Sequence, residues 1–409
     1  MNLPAEPRLI WRASDGPGEL GVLVFDTLVA GRACGGVRVA AAASVEELHD
    51  LARVMTYKFA FFGIACGGAK AGLVVPPDAT PAERERRARA FGAALAPLVR
   101  FGTYVPGTDL GCRERDLWHI LDAAGVPAGA APPLDVDETS TTAAHSGWSA
   151  AIAAIAALEA RGIASSAATL AIAGYGRVGA ALAARFTAAG GRLVGVSTTR
   201  GAVVDAAGLD LKRLERLRAE HGDAAPLHYP RGERVAPAEL LALDVDVLAP
   251  CATRHMLDAA NAASVRCRIV APGANAALSA PAEAALGAAG VTVLPDFVAN
   301  AGGILVSHFW PMRMTSAAVE RLLERHYRRI VTALLARAIA DGTAIPALAR
   351  RLARQNLARL ASDGRAAARH ERLIAELGRP RVRRLLPRAL VAPVIARVAR
   401  VLRPPLALA

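Results

Sequence analysis

Apolar positions along the chain change their period several times, and those changes outline the elements. Leu20-Gly21-Val22-Leu23-Val24-Phe25 is a near-continuous apolar run, closed by a turn at Gly31 and followed by Gly35-Gly36-Val37-Arg38-Val39. The two runs read as paired strands. Ser44-Val45-Glu46-Glu47 then opens a helix, with a serine to accept a free N–H and a glutamate three residues on. Helical periodicity carries to about Phe62 and puts Lys58 near the C-terminal end. Gly63 to Gly72 reads as a glycine-rich loop holding Lys70, followed by a short strand, Leu73-Val74-Val75, that stops at Pro76-Pro77. Residues 81–100 form a helix with charge along one face. Thr103-Tyr104-Val105-Pro106 is a short strand that delivers the loop Gly107-Thr108-Asp109-Leu110-Gly111.

Ala128 to Pro133 is small and proline-bearing, and reads as a hinge. The texture changes beyond it. An alanine-rich helix, about Thr142 to Arg161, leads to the strand Thr169-Leu170-Ala171-Ile172-Ala173. A glycine turn, a helix to Ala189 and a strand from Arg192 to Val196 complete a strand–helix–strand unit. Further apolar runs at Val245–Leu248, Arg268–Val270 and Val291–Leu294 alternate with helical stretches, which predicts a doubly wound parallel sheet. Thr315 to Ala361 is helical again. The expected fold class is α/β with two domains: an N-terminal α/β domain over 1–135, a C-terminal Rossmann domain over 136–314, helices returning to the first domain over 315–362, and a basic extension over 363–409.

Composition narrows function more than fold. Hydrophobic residues make up 53% of the chain and aromatics only 4%, so the core is expected to be small and aliphatic. There are forty-six arginines and three lysines, and two of the lysines, Lys58 and Lys70, lie twelve residues apart. A lysine ammonium is compact and can lose its proton when desolvated; a guanidinium cannot. Lysine kept at these places in an arginine-rich chain points to chemistry. The net charge is +13, but eight arginines and no acids follow from Arg379 onward, so the basic character sits in the tail. No arginine–aromatic alternation or nucleic-acid motif accompanies it, which argues against nucleic acid as a partner. The tail reads as a poorly ordered extension or as a surface for an anionic membrane or a partner. Five cysteines, widely spaced and none at zinc-site spacing, predict a reduced cytoplasmic protein without a metal site. The N-terminus lacks a signal-peptide core, and no apolar run approaches the roughly 20 residues that cross a bilayer.

Gly174-x-Gly176-x-x-Gly179 joins a strand to a helix, with Arg177 and Val178 inside the turn. The first glycine permits the tight turn, the second lets backbone approach a pyrophosphate, and the third lets helix and strand pack closely. The helix N-terminus stabilises the anion. NAD or NADP is the expected cofactor. The ribose-reading acid should close the next strand, but Ser197-Thr198-Thr199-Arg200 stands there without a carboxylate. Arg200 either meets a 2′-phosphate or is a solvated turn residue, and the stretch leans toward NADP or dual use. Lys70, among glycines, can approach a substrate closely. Burial and a neighbouring cation such as Lys58 would lower its pKa and suit it to proton transfer, with Asp109 to exchange the second proton. The plainer alternatives are a turn-capping Asp109 and a helix-terminal Lys58.

Taken in order, Gly35-Gly36-Val37-Arg38, Met55-Thr56-Tyr57-Lys58, Gly67-Gly68-Ala69-Lys70-Ala71-Gly72, Asp109-Leu110-Gly111, the glycine turn, Ala249-Pro250-Cys251-Ala252, Gly273-Ala274-Asn275 and Pro295-Asp296-Phe297-Val298-Ala299-Asn300-Ala301-Gly302-Gly303 resemble the glutamate/leucine/phenylalanine/valine dehydrogenase family over roughly residues 20–360. The resemblance implies an N-terminal domain for substrate binding and dimerisation, and oligomers built from dimers. It implies reversible oxidative deamination of an L-amino acid to a 2-oxo acid and ammonia, with hydride passing to NAD(P). Lys58 would bind the substrate α-carboxylate, Lys70 would be the catalytic lysine, and Asp109 would relay protons. Gly67, Gly68 and Asn300 would line the substrate, while Thr142, Thr198, Ala252 and Asn275 would line the cofactor. For the substrate side chain, His49, nine residues before Lys58, and Ser307 are the candidate pocket residues; His49 either pairs with an acidic substrate or is an ordinary helix histidine, and the second is the expected role. The stretch Thr142-Ala143-Ala144-His145-Ser146-Gly147-Trp148 departs from the family's Thr-Ala-x-Gly-Val. That departure keeps open a repurposed member, either acting on another substrate or serving assembly or regulation.

Overall fold

The computed structural model describes residues 3–15, 18–127, 142–308 and 316–362. The hinge read at 128–133, the boundary at 135/136 and the tail from 363 lie outside the described residues.

Two sheets organise the chain. The first holds β1 (Leu9–Asp15), β2 (Gly18–Phe25), β3 (Ala33–Ala40), β4 (Gly67–Val74) and β5 (Tyr104–Thr108), in the order β1-β2-β4-β3-β5. The expected pairing of the second and third strands is therefore absent. β4 lies between them, antiparallel to β2 and parallel to β3. Apolar runs identify strands but not their neighbours. Helix α1 (Val45–Phe61) follows β3 and carries the chain back to a parallel start, as parallel pairing requires. Its N-terminus forms as read, with Ser44 Oγ accepting the Glu47 N–H at 3.3 Å.

The glycine-rich stretch around Lys70 is also not a loop. It is β4, inside the sheet. Ala69, Ala71 and Leu73 join the core formed with α2 (Pro81–Arg100) and α3 (Glu114–Ala123). Strand alternation turns Gly68, Lys70 and Gly72 to the opposite face, under α1. The small residues conceal the strand period in the sequence. They are needed because α1 packs so closely that a Cβ on Gly68 would lie 2.1 Å from the Ala52 carbonyl oxygen.

The second sheet holds β6 (Thr169–Ala173), β7 (Arg192–Ser197), β8 (Ala202–Val204), β9 (Glu233–Val235), β10 (Val247–Pro250), β11 (Ile269–Val270) and β12 (Thr292–Val293). Its order is β12-β11-β10-β6-β7-β8-β9. Five strands are parallel; β8 and β9 extend one edge antiparallel and, at three residues each, are too short to show as a pattern. Helices α4 (Thr142–Ala160), α5 (Arg177–Ala188), α6 (Leu211–His221) and α7 (Ala280–Ala288) accompany the sheet. The strand order reverses between β6 and β10, where diverging connections leave a crevice.

Past β12 come α8 (Asp296–Ala299), α9 (Gly302–His308), α10 (Ser316–Arg321), a π-helical turn over Leu322–Tyr327, α11 (Arg328–Ala340) and α12 (Ile345–Ser362). The wide turn ends at Tyr327, whose hydroxyl lies 3.0 and 2.9 Å from the carbonyl oxygens of Val298 and Ala299. It thereby braces the backbone just before Asn300. Asn356 of α12 donates to the Phe61 carbonyl at the end of α1 (3.3 Å), so the last helix ties back to the first sheet's layer. Among the described residues no single helix is long and apolar enough to cross a membrane.

Candidate active site

Lys70 and Asp109 meet across β3. The Lys70 Nζ lies 2.8 Å from Asp109 Oδ1, with the Lys70 side chain 2% exposed and that of Asp109 14%. Gly36 of β3 makes the reach possible. A Cβ there would lie 2.9 Å from the Asp109 Cβ and 2.6 Å from the Thr108 carbonyl oxygen. Arg38 holds the other side of the carboxylate, with Nε 3.0 Å from Oδ2, and its Nη1 pairs with Glu47 at the start of α1. Burial pushes the Asp109 carboxyl up, but Lys70 and Arg38 together outweigh burial and hold it below the ordinary aspartate value. Two cations on one carboxylate win because each contributes both charge and a hydrogen bond. Asp109 is thus an anion with one oxygen fixed by arginine and one shared with lysine.

Lys58 approaches the same charges from α1. It is 3% exposed and donates to Asn275 Oδ1 at 2.9 Å and to Asn300 Oδ1 at 2.5 Å. Both asparagines belong to the second-sheet half of the chain, so this lysine bridges the two layers. Asn300 also donates to the Gly273 carbonyl (3.1 Å), which fixes its amide orientation. A second bridge, Arg254 Nη1 to Asp50 Oδ2 at 2.8 Å, links the loop after β10 to α1. Burial pulls the Lys58 pKa down to about 8; Asp296 opposes it, Lys70 lowers it further and Asp109 raises it. Asp296 was not singled out by the sequence beyond its place in a motif. Its carboxylate accepts the N–H of Ala276 at 2.5 Å and of Phe297 at 2.7 Å. Ala276 has a left-handed backbone (φ +50), so Asp296 pins the turn that aims Asn275.

The glycine turn lies at the crevice. Gly174 takes φ +105, and a Cβ on it would lie 2.7 Å from both the nitrogen and the Cβ of Ala252. Gly176 caps α5 with no side-chain hydrogen bond and faces open space, so the helix N-terminus is uncovered on that side. A pyrophosphate fits such a cradle. Val178 lies between α4 and Gly273: its carbonyl oxygen is 2.2 Å from where a Gly147 Cβ would stand, and its Cγ1 is 2.9 Å from a Gly273 Cβ. Gly273 in turn takes the Asn300 amide. Gly174, Gly176, Val178, Gly179, Ala252, Asn275 and Asn300 therefore form one contiguous wall that reaches Lys58. Thr142 opens α4 exposed, with its methyl against Gly303. Arg177 is exposed at the first turn of α5.

Other expected residues sit differently. His49 is turned away from Lys58, since nine residues of helix rotate it by roughly half a turn. Its Nε2 lies 3.1 Å from Asp26 Oδ1 and 3.1 Å from Arg53 Nη2, a network that Thr56 completes by donating to Asp26 Oδ2. It is an internal polar residue, not a lining of the Lys58 pocket. Gly67 and Gly68 are packing residues: Thr27, Ala52 and Thr56 fill the space where their side chains would be. Ser307 is exposed on α9, one turn beyond Gly303. Arg200 is exposed beyond β7. Arg38 and Glu47 were missed as site residues, although Arg38 stands in the glycine-pair motif. The signal was its spacing from Gly36, which places it beside Asp109.

Known proteins carry the same arrangement of domains. A family model described as Glu/Leu/Phe/Val dehydrogenase, dimerisation domain, matches residues 21–125, and one described as Glutamate/Leucine/Phenylalanine/Valine dehydrogenase matches 139–363. A glutamate dehydrogenase from Thermotoga maritima is 29% identical over 341 residues, covering 78% of this chain and 82% of its own. Glutamate dehydrogenase B of Halobacterium salinarum is 36% identical over 285 residues, covering 67% of this chain and 66% of its own. A hetero-hexameric glutamate dehydrogenase from Thermus thermophilus, with leucine bound, superposes with TM-score 0.75 at 28% identity, over 87% of this chain and 89% of that one. The fold is also that of L-tryptophan dehydrogenase from Nostoc punctiforme (TM-score 0.60, 21% identity, 87% and 96% covered). With both halves matched and the motif residues gathered in one cleft, the chain belongs to the glutamate/leucine/phenylalanine/valine dehydrogenase family of amino-acid dehydrogenases.

Proposed function

We propose that this chain catalyses the reversible oxidative deamination of an L-amino acid to its 2-oxo acid and ammonia, with NAD or NADP as hydride carrier. The observation that carries the reading is the meeting of Lys58 with Asn275 and Asn300 beside the Lys70–Asp109 pair, at the end of the dinucleotide crevice. Lys58 binds the α-carboxylate, with the Asn275 and Asn300 amides beside it. Lys70, set on a strand between glycines, activates water for attack on the imine carbon and polarises the carbonyl in the reverse direction. Asp109 takes a proton from the substrate ammonium through the oxygen it shares with Lys70, while Arg38 keeps the other oxygen fixed. A nicotinamide held along the Gly174–Gly179 crevice would supply the acceptor for the hydride that leaves the substrate Cα. Asn275 and Asn300 orient the carboxylate and the nicotinamide side of the cleft, and the N-terminal domain assembles copies of the chain.

The test is amination of a panel of acidic, branched and aromatic 2-oxo acids with ammonia, using NADH and NADPH in parallel. Ammonia-dependent cofactor oxidation with at least one of them is expected. No turnover across the panel by folded, nucleotide-binding protein would reject the reading in favour of a non-catalytic family member.

A pH dependence follows from Lys58. The group is charged below about 8 and neutral above it, so it holds a carboxylate only on the acid side. KM for the amino acid should rise through pH 8 by up to about tenfold per pH unit until substrate binding itself restores the proton. A KM that stays flat to pH 9.5 would remove Lys58 from this role.

A further inference from the structure

Where a dinucleotide fold reads the adenosine ribose, the strand after the glycine turn usually ends near a carboxylate that accepts the 2′-hydroxyl. Here β7 closes at Ser197, and Thr198-Thr199-Arg200 follows without an acid. Folding brings one from elsewhere. After α6 the chain makes a 3-10 segment, Gly222–His228, that lies against this turn. Thr198 Oγ1 donates to the Asp223 carbonyl at 2.5 Å, and Thr199 Oγ1 donates to Asp223 Oδ2 at 3.0 Å. The turn is also tied to the phosphate cradle, because the Ser197 carbonyl accepts the N–H groups of Gly174 (3.0 Å) and Tyr175 (2.7 Å). Glycine turn, end of β7 and Asp223 thus make one hydrogen-bonded rim.

We propose that Asp223 is the ribose-reading acid of this chain, delivered by the connection after α6 instead of by β7, and that it selects NAD(H) over NADP(H). This deepens the dinucleotide reading above and rests on it. Asp223 is exposed, as a ligand-facing group must be, and has no ion-pair partner among the described residues. Thr199 occupies one carboxylate oxygen and leaves the other for the 2′-hydroxyl, a charge-assisted bond. A 2′-phosphate at the same place meets an un-neutralised negative charge. Arg200 pulls the opposite way. Its backbone N–H is held by Thr198 Oγ1 at 3.2 Å, but its side chain is exposed and makes no hydrogen bond among the described residues. Arg200 must therefore be ordered when a phosphate binds, whereas Asp223 is already held by Thr199. Preorganisation favours the aspartate.

The test is equilibrium binding of NADH and NADPH to the purified full chain, by calorimetry or by energy transfer from tryptophan to the nicotinamide. NADH is expected to bind at least about tenfold tighter. Asp223→Ser should narrow that ratio about tenfold, chiefly by gain of NADPH affinity, and the near-isosteric Asp223→Asn should act in the same direction while keeping a partner for Thr199. Arg200→Gln should move the ratio less than either. NADPH bound as tightly as NADH by the parent chain, or a ratio unmoved in both Asp223 variants, would overturn the proposal. Failure of the parent chain to bind either nucleotide would overturn the dinucleotide reading and this proposal together; binding of both with the wrong ratio rejects this one alone.

Discussion

Replacing Lys70 by alanine is expected to lower turnover by about a thousandfold while leaving nucleotide affinity within about twofold. The first figure follows from what one positioned acid–base group contributes, roughly 10²- to 10⁴-fold. The second follows from placement: Lys70 lies on β4 of the first sheet, whereas the glycine turn follows β6 of the second. The substitution also strips Asp109 of one of its two cations and leaves a cavity under α1, so some stability will be lost. Lys70→Met fills that volume and separates the effects. Both variants should be inactive, and Met should melt closer to the parent. Lys70→Arg is not expected to rescue, because a guanidinium stays protonated and its planar fork needs more room than α1 leaves above β4. Initial rates, a thermal melt and nucleotide titration on the three variants check this. Turnover within tenfold of the parent in the Met variant would remove Lys70 from the chemistry.

How much of this was legible beforehand differs from residue to residue. The dinucleotide half was readable because its signals are local: an apolar strand, a glycine turn with fixed spacing and a helix lie within about twenty residues, and nothing distant is needed to interpret them. The first sheet was harder. β2 and β3 were visible as strands, but the strand between them comes from beyond α1, and its alternation is masked by Gly68, Ala69, Ala71 and Gly72. Those residues are small because α1 lies so close, a tertiary fact that local pattern does not contain. Lys70 and Asp109 were singled out through chemistry, yet Arg38 was not, since its contact with Asp109 depends on β3 lying beside β5. His49 lies off the Lys58 face for a geometric reason: a helical count of nine reverses the face. Asp223 lies 24 residues beyond Thr199 and meets it only because the segment after α6 folds back.

Asp109→Asn is expected to lower turnover about a hundredfold or more, and its cause differs from that of the lysine change. The parent carboxylate receives only donors, the Lys70 ammonium on one oxygen and the Arg38 guanidinium on the other. Asparagine has one acceptor oxygen and an NH₂, so it satisfies one cation and presents a donor to the other. The variant loses the proton acceptor and either frees Lys70 or leaves Arg38 with Glu47 alone. The sign of the pH dependence distinguishes these functions. In the parent, Lys70 and Arg38 hold the carboxyl below the ordinary aspartate range against the effect of burial, so Asp109 stays ionised further into acid than a free aspartate and loses activity only as pH falls through its depressed value. Arg38→Gln leaves burial less opposed. It should shift the acid limb of kcat/KM toward higher pH while retaining more turnover than Asp109→Asn. An acid limb unmoved in Arg38→Gln, or an Asp109→Asn variant keeping more than about a tenth of parent turnover, would show that the carboxylate is structural and that the substrate's proton leaves by another route.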